Sequence, residues 1–243
     1  MKADSVQLQE LIDNSDNVVF FGGAGVSTES GIPDFRSVDG LYNQEYDYPP
    51  ETILSHSFFQ SKTKEFYRFY RNKMICISAK PNNAHKALAR LEQLGKLKAV
   101  ITQNIDGLHQ MAGSKNVLEL HGSVHRNNCQ RCNKLYDANF ILAAQEIPTC
   151  ECGGRIKPDV VLYEEGLDQH IISKAIRYIS QAEVLIIGGT SLNVYPAAGL
   201  VDYYNGDKLI LINKDATPMD YRANLLISGK IGEVLSQFTI DSK

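Results

Sequence analysis

The 243-residue sequence predicts an α/β fold with a doubly wound, mostly parallel sheet. Six short apolar runs are bounded by turn residues, at Val18–Phe21, Ala99–Thr102, Val117–Leu120, Val184–Ile187, Leu209–Ile212 and Leu225–Ile227. Most of the runs do not alternate between apolar and polar residues, which is typical of strands buried on both faces of a parallel sheet. Helical patterns lie between several of them, and this alternation indicates right-handed crossovers. The predicted architecture is therefore Rossmann-like.

Two segments between the predicted strands have clear helical patterns. Residues 81–95 carry an apolar stripe of Ala84, Leu88 and Leu91. Pro81 is predicted to open this helix and Gly95 to end it. Residues 168–181 repeat isoleucine and alanine on one face, which predicts a second amphipathic helix.

Two other segments interrupt the alternation of strands and helices. Residues 38–80 are aromatic and largely helical in pattern, and residues 125–157 contain four of the five cysteines. We expect both segments to be insertions into one nucleotide-binding domain made of residues 1–37, 81–124 and 158–243.

The composition bounds the class of protein. A formal net charge of −3 gives no reason to expect nucleic acid as a partner. The first residues carry charge and no apolar core, so we do not expect them to be a signal peptide. No run approaches the roughly 18 apolar residues of a membrane span. Five cysteines without a secretion signal predict a reducing, cytoplasmic location, where clustered thiols are more often metal ligands than disulfides.

Small and polar residues follow each predicted strand. The segments are 22–25, 103–109, 121–123, 188–196, 213–215 and 228–230. Ligands of open α/β sheets bind in the crevice outside the carboxyl ends of the strands. The sequence therefore predicts a nucleotide site along this edge.

The turn after the first strand resembles a dinucleotide-binding turn and then departs from it. Gly22–Gly25 can place backbone N–H groups against a pyrophosphate, although such a turn alone is also compatible with a structural role. Thr28 stands where the third glycine of G-x-G-x-x-G is expected, and no acidic residue ends a second strand about 20 positions on. Asp34, Phe35 and Arg36 follow instead, offering an acceptor, a flat apolar ring and a phosphate-binding fork. The pattern favours nucleotide binding without hydride transfer.

The loop after the second strand offers Gln103, Asn104 and Asp106. These side chains could bind a carboxamide or ribose hydroxyls, and the alternative for Asp106 is the N-cap of a helix. His109 is interpreted as a helix-surface or packing residue. His121, at the carboxyl end of the third strand, is a candidate general base, because its reference pKa near 6.5 suits that role.

Four cysteines predict a metal site. Cys129 and Cys132 are followed, after 17 residues, by Cys150 and Cys152. The zinc-ribbon pattern is C-x2-C, 15–20 residues, then C-x2-C, so the second pair is one residue short. Four thiolates still form a closed tetrahedral site, so we expect one structural zinc ion in a zinc-binding insertion at 125–157, with His125 as a possible replacement ligand.

In this order, these motifs resemble those of the sirtuins, which are NAD-dependent protein lysine deacylases. The matching stretches are GAGVSTESGIPDFRS, TQNIDGLH, HGS, the paired cysteines, GTSLNVYPAA and LINKDATP, over residues 17 to 235. The resemblance implies that NAD is a co-substrate. The products would be free lysine, nicotinamide and O-acyl-ADP-ribose, and the partners would be acylated lysine peptides.

The resemblance also implies roles for individual residues. His121 would be the catalytic base that activates a ribose hydroxyl after the acyl oxygen has displaced nicotinamide. Phe35 would shield the reacting sugar carbon, and either Lys230 or Ile231 would flank the adenine. The implied cofactor-binding residues are Gly23, Ala24, Gly25, Thr28, Asp34, Phe35, Arg36, Gln103, Asn104, Ile105, Asp106, Gly189, Thr190, Ser191, Asn213, Lys230 and Ile231. The peptide would lie extended between two chain segments, with contacts to Val161, Leu162, Tyr163, Leu192, Val194 and Tyr195.

This chain departs from the family pattern at three places. Gly22 stands where a threonine is usual, and Phe-Gly-Glu is replaced by the sequence at 163–165, Tyr-Glu-Glu, which predicts a preference for basic residues beside the target lysine. The Tyr-x-x-Arg pair of desuccinylating members is replaced by Tyr67 and Tyr70, with Arg71 one position late. One residue is about 100° of helix rotation, so Arg71 is predicted to point away and acetyl to be preferred over succinyl.

Two other functions compete with deacylation. A protein ADP-ribosyltransferase would share the NAD site, but such sirtuin-like proteins typically lack the histidine that is present here as His121. A non-catalytic NAD-sensing or zinc-dependent binding module would keep its function without His121.

Overall fold

The computed structural model describes residues 2–34, 40 and 47–237. Its main sheet has six parallel strands, which are β1 (Val18–Gly22), β2 (Leu97–Thr102), β3 (Val117–Glu119), β7 (Val184–Gly188), β8 (Leu209–Asn213) and β9 (Leu225–Ser228). Their order across the sheet is β3-β2-β1-β7-β8-β9. All six predicted strands are present, and the prediction of a parallel Rossmann-like sheet is confirmed.

Helices cover both faces of this sheet. Helices α1 (Lys2–Asp13), α5 (Asn83–Gln93) and α9 (Ile231–Leu235) share one apolar core with alternate strand residues, among them Val18 and Phe20. Helix α8 (Gln169–Gln181) and the 3-10 segment Ala197–Tyr203 share the other core with Val19 and Phe21. Burial on both faces explains why the strand sequences are continuously apolar.

Both predicted amphipathic helices form, with one change of boundary. Helix α5 begins after Asn82, whose side chain accepts from the N–H of Ala84 while its own N–H donates to His85 Nδ1. Pro81 therefore precedes the cap, and the prediction that it opens the helix was wrong. Asp168 caps α8 by accepting from the N–H groups of His170 and Ile171.

The two predicted insertions pack on each other. A three-stranded antiparallel sheet in the order β5-β4-β6 is formed by β4 (Gly122–Cys129), β5 (Leu135–Tyr136) and β6 (Ile156–Val160). It shares one apolar core with α2 (Pro50–Ile53), α3 (His56–Ser61), α4 (Thr63–Phe69), the π-helical turn Tyr70–Met74 and α7 (Ala138–Ala143). A short helix, α6 (Leu108–Ala112), follows β2.

The longest helix, α8, has 13 residues. Throughout the part of the chain that the structure describes, no helix combines the length and the apolar character needed to cross a membrane.

Candidate active site

The site is built where the strand order reverses. Strand β1 lies between β2 and β7, and the chain continues from it to one side and later to the other. Such a switch point leaves a crevice at the carboxyl ends of the two central strands. The turns after β1 and β7 both lie there, as the sequence predicted.

The two glycine turns interlock. The N–H of Gly25 donates to the carbonyl of Gly189 at 2.8 Å, and the N–H of Gly23 donates to Gly188 at 3.3 Å. A Cβ at Gly25 would lie 2.8 Å from the Cα of Gly189, and Gly189 itself has φ +59°. Only glycines allow this approach, which fixes the floor of the crevice.

The next side chains show how the turn continues. Ala24 begins a 3-10 turn that ends at Val26, and the hydroxyl of Thr28 donates to the carbonyl of Gly25 at 3.0 Å. Asp34 is half-buried. Phe35 and Arg36, for which we expect cofactor contacts, lie outside the described residues.

Ser27 lies at the centre of a buried polar group. Its Oγ donates to Asp106 Oδ2 at 2.6 Å and accepts from Asn104 Nδ2 at 3.0 Å. Asp106 Oδ1 also accepts from the N–H of Leu108 at 2.9 Å, so this carboxylate stabilises the start of α6 as well. The N-cap of α6 is Gly107, so the interpretation of Asp106 as the N-cap residue was wrong. Ser27, only 1% exposed, is at the centre of this polar group and was not among the predicted cofactor-binding residues.

A second polar group joins the ends of three strands. Gln103, after β2, donates from Nε2 to Thr190 Oγ1 at 3.0 Å. Asn213, at the end of β8, accepts from the N–H of Thr190 at 3.1 Å and donates to its carbonyl at 2.8 Å. Ser191 follows Thr190 directly. Residues far apart in the sequence are thus brought to one edge, as the strand-end pattern predicted.

His121 has a defined tautomer. Its Nδ1 lies 3.0 Å from the carbonyl oxygen of Gln103, and because a carbonyl only accepts, Nδ1 carries the proton. Nε2 therefore keeps its lone pair. Burial lowers the pKa of His121 below 6.5, although the hydrogen bond to Gln103 opposes this shift. A neutral imidazole with a bare Nε2 is the form that a general base requires.

The segment after β6 is held by the chain itself. The N–H of Val161 donates to the carbonyl of His121 at 3.0 Å, and that of Tyr163 to Leu54 at 3.0 Å. The N–H of Leu162 donates to Glu165 Oε2 at 2.9 Å. These three backbone donors, predicted to face a peptide, already have partners in this structure.

The other predicted peptide contacts lie after β7. Leu192 is buried with φ +54°, Val194 is half-buried, and Tyr195 is 74% exposed. Tyr195 is thus a large aromatic ring on the surface beside the crevice.

The Tyr-Glu-Glu sequence has its own structural solution. Glu164 has φ +73°, a left-handed conformation that glycine adopts without cost, and its carboxylate accepts from both the N–H and the hydroxyl of Ser57 at 2.9 Å. Glu165 pairs with Lys157 at 3.0 Å and with His56 Nδ1 at 2.8 Å. Since Lys157 offsets the charge of Glu165, the predicted preference for basic flanking residues now depends mainly on Glu164.

Two further departures are explained by packing. A Cβ at Gly22 would lie 2.6 Å from the ring of Phe20, so that ring fills the space of a side chain there. The guanidinium of Arg71 donates to the carbonyl of Glu146 at 2.8 Å, while Tyr67 and Tyr70 are fully buried and Tyr67 donates to the carbonyl of Ile156.

The predicted adenine neighbours differ in exposure. Lys230 is exposed and pairs with Glu233 at 2.9 Å. Ile231 is 2% exposed, and a Cβ at Gly188 would lie 2.0 Å from its Cδ1. Ile231 therefore packs beneath the end of β7.

Two buried histidines form an unexpected pair below the site. The rings of His85 and His109 are 4.7 Å apart, and neither is more than 1% exposed. Burial lowers the pKa of His85 to about 4 and that of His109 to about 3. Of the two alternatives for His109, a helix-surface or a packing residue, its burial agrees with packing. No local signal in the sequence paired it with His85.

The four cysteines gather as predicted. The Sγ atoms of Cys129, Cys132, Cys150 and Cys152 all lie within 4.8 Å of one another. Cys129 and Cys152 are 3.5 Å apart and Cys132 and Cys150 are 3.6 Å apart, too far for disulfides. Zinc with four Zn–S bonds of about 2.3 Å places sulfurs about 3.8 Å apart, so this donor set fits the ion.

His125 is not part of the cysteine cluster. Its Nε2 lies 2.9 Å from the carbonyl oxygen of Asp106, in the loop after β2. The expectation that His125 replaces a ligand was wrong, because both Cys150 and Cys152 reach the cluster. The N–H of Gly153 donates to the carbonyl of Cys150 at 2.8 Å, and this hydrogen bond closes the tight turn that brings the two cysteines together.

Comparison with known proteins places this geometry in context. A model of the Sir2 family matches residues 23–196. An NAD-dependent protein deacetylase of Clostridium tetani is 61% identical over 232 residues, covering 94% of this chain and 94% of that protein. A structure from work on the mechanism and regulation of Sir2 enzymes has a TM-score of 0.88 at 42% identity, covering 97% of this chain and 96% of the other. A complex of Sir2 with a p53 peptide and NAD+ has a TM-score of 0.83 at 41% identity, covering 94% of each chain.

Proposed function

The chain belongs to the Sir2 family, and from that premise we propose that it removes acetyl groups from protein lysine side chains at the expense of NAD. The products are free lysine, nicotinamide and O-acetyl-ADP-ribose. NAD is a co-substrate that supplies the sugar carbon to which the acetyl oxygen is transferred. The relatives named above support this function through their activity and their ligands.

The proposed chemistry rests on the orientation of the His121 ring. His121 has its proton fixed on Nδ1 by the carbonyl of Gln103, and the same residue, Gln103, binds Thr190 through its side chain. The imidazole is therefore oriented by the residue that joins the strand ends of the nucleotide edge. We assign His121 as the base that accepts, at Nε2, the proton of a ribose hydroxyl.

The remaining residues bind and orient. Thr190 and Asn213 form a rigid pair suited to the adenosine half, because the oxygen and the nitrogen of the Asn213 side-chain amide are both hydrogen-bonded to the backbone of Thr190. Ser27, which accepts from Asn104, donates to the carboxylate of Asp106. Asp106 and Ile105 are assigned to the nicotinamide amide. The main catalytic task is to fix two weakly reactive partners in one geometry. Nicotinamide needs no strong acid to leave, because its ring nitrogen already carries a positive charge in NAD.

The peptide is assigned to the groove between residues 161–163 and 192–195. Because the N–H groups of Val161, Leu162 and Tyr163 have partners in the chain, an added strand would pair with the remaining backbone groups or displace the Glu165 carboxylate from Leu162. Backbone pairing tolerates many sequences, so we expect weak selectivity along the peptide.

The cysteine cluster is assigned a structural zinc ion. Cys129, Cys132, Cys150 and Cys152 would hold it in a closed tetrahedral site with no open position for substrate.

The proposal is tested with an acetyl-lysine peptide incubated with the protein, with and without NAD. We expect deacetylated peptide and O-acetyl-ADP-ribose to form only when NAD is present. The peptide should carry no added ADP-ribose mass. An ADP-ribosylated peptide would indicate a transferase instead. Full activity of a His121→Ala variant would contradict the assignment of the base.

A further inference from the structure

Arg126 is the centre of a network of charged side chains that connects β3 and β4, the strands on either side of His121. Arg126, on β4, donates from one terminal nitrogen to Glu119 Oε2 and from Nε to Asp159 Oδ2, both at 2.7 Å. The other oxygen of Glu119 accepts from Gln110 Nε2 at 2.9 Å. One arginine thereby joins β3 of the large sheet to β6 of the small sheet, and Glu119 extends the connection to α6.

The network brackets the short connection that carries His121. Glu119 ends β3 and Gly122 begins β4, so His121 lies between two elements that belong to different sheets. On the far side Gly122 has φ +75°, and a Cβ there would lie 2.0 Å from the carbonyl oxygen of Asp159. The backbone of Asp159 therefore lies directly against this connection, while its side chain binds Arg126.

The charges make the arrangement specific for arginine. The side chain of Glu119 is 8% exposed, and without its partner this carboxylate would be buried with only the amide of Gln110. Removing one member of a buried ion pair is costly because the other charge is left uncompensated. A planar guanidinium can reach two carboxylates in fixed directions, whereas a lysine ammonium is a flexible point charge. The Arg126–Asp159 pair is about half exposed and contributes little stability in itself. Its main effect is therefore to fix the relative position of β4 and β6.

We propose that Arg126 is a positioning residue for His121, acting through Glu119 and Asp159 to hold the base against the ribose hydroxyl. The inference rests on the proposed function, because it concerns one step of that reaction. It assigns to Arg126 a role in the step that needs a base and none in the step that precedes it.

The two steps differ in what they require of His121. In the first, the acetyl oxygen bonds to the sugar carbon while the bond to nicotinamide breaks, and no proton is transferred. Added nicotinamide reverses this step and exchanges into NAD. In the second, His121 Nε2 accepts the proton of the ribose hydroxyl as its oxygen attacks the acetyl-derived carbon. A displaced base slows the second step and leaves the first unchanged.

The experiment measures both steps in Arg126→Gln. Labelled nicotinamide is supplied with NAD and an acetyl-lysine peptide. The rate at which label enters NAD is compared with the rate at which deacetylated peptide forms. We expect deacetylation to fall about tenfold, the scale of a small displacement of a catalytic group, while exchange changes less than about twofold, so that their ratio shifts. Equal losses of both activities, or no loss of either, would overturn the proposal.

Two further variants test the specificity of the effect. Arg126→Lys keeps the charge without the fork and is expected to recover only part of the deacetylation rate. Glu119→Gln, which keeps the acceptor for Arg126 without the charge, is expected to shift the ratio in the same direction; an unchanged ratio would overturn the route through Glu119.

The matched control is Arg155→Gln. Arg155 also bridges separate elements, donating to Thr63 Oγ1 at 3.0 Å and to Gln60, but it has no contact with Glu119 or Asp159 among its described hydrogen bonds. We expect exchange and deacetylation to change in the same proportion there; a ratio shifted as in Arg126→Gln would overturn the proposal. A wild-type protein with neither activity would instead reject the proposed function.

Discussion

The nucleotide edge of the large sheet and the cysteine cluster of the small sheet are organised by different forces. At the nucleotide edge, polar side chains already bind one another, as Ser27 does with Asp106 and Thr190 with Asn213. The edge lies at the ends of strands that are buried along their whole length, such as β1 and β7. In the cysteine cluster, four thiols lie within 4.8 Å of one another on a sheet whose strand β5 has only two residues.

The difference shows where each region obtains its stability. Apolar burial on two faces supports the nucleotide edge, so the site is preorganised before substrates bind. Four sulfur ligands at this separation can be deprotonated together only beside a cation, and metal binding then contributes directly to folding. The two regions should therefore respond differently to the same perturbation.

Removal of zinc is expected to have the largest effect. Chelation, or Cys150→Ser, should disrupt the small sheet and abolish deacetylation, because β4 and β6 of that sheet flank His121. The large sheet should keep its secondary structure. The measurements are zinc content, circular dichroism and activity.

Cys76→Ser is the matched control for zinc removal, since Cys76 lies outside the cluster. It should retain one zinc ion per chain and its activity. Full activity in zinc-free protein would break the comparison between the two regions.

Replacement of His121 affects the other region alone. His121→Ala should lower the rate of deacetylation by about 100-fold or more, the usual scale for loss of a general base. Zinc content and thermal stability should stay as in the wild type. A comparable loss of zinc would show that the two regions are not independent.

The pH profile sharpens the assignment of His121. The neutral imidazole is the active form, so kcat/KM falls as the pH drops through the pKa of this group in the free enzyme. Because burial lowers that pKa, the acidic limb should lie below pH 6.5, and it should be missing from the residual activity of His121→Ala. A limb at or above pH 6.5 in the wild type would contradict the effect of burial.

The buried histidine pair predicts an acid-sensitive large sheet. The pKa of His85 is lowered to about 4 and that of His109 to about 3, against about 6.5 in an unfolded chain. The unfolded state binds more protons in this window, so the stabilising contribution is complete above pH 6.5 and is lost as the pH falls toward 3.

Urea unfolding across this pH range tests the histidine pair. His109→Leu should show a shallower loss of unfolding free energy with acid than the wild type, whereas His170→Leu, at an exposed position, should follow the wild type. Identical slopes for all three proteins would refute a role for the pair.

The acyl preference is the smallest expected effect. Arg71 binds the carbonyl of Glu146. Tyr70 occupies the position of the arginine in the Tyr-x-x-Arg pair by which desuccinylating sirtuins resemble one another. Acetyl-lysine should therefore be a better substrate than succinyl-lysine by kcat/KM, and Tyr70→Arg should narrow the difference, provided that the protein folds. A wild-type desuccinylase activity above its deacetylase activity would contradict this.

Much of the fold and of the nucleotide edge could be predicted from the sequence because its signals are local. Apolar runs such as Val184–Ile187 mark strands, and polar residues such as Thr190 follow them directly. The pairing of His85 with His109 and the contacts of Arg126 join residues through the folded structure and leave no local pattern. The same holds for Glu164, whose left-handed conformation is stabilised by Ser57, a residue in the helical insertion.

We expect the nucleotide edge to break the bond between ribose and nicotinamide and not to transfer a hydride. Nicotinamide and deacetylated peptide are counted in one reaction with NAD and an acetyl-lysine peptide. We predict one nicotinamide for each deacetylated lysine and no reduced cofactor. Deacetylated peptide formed without nicotinamide, or reduced NAD accumulating in place of nicotinamide, would contradict this expectation.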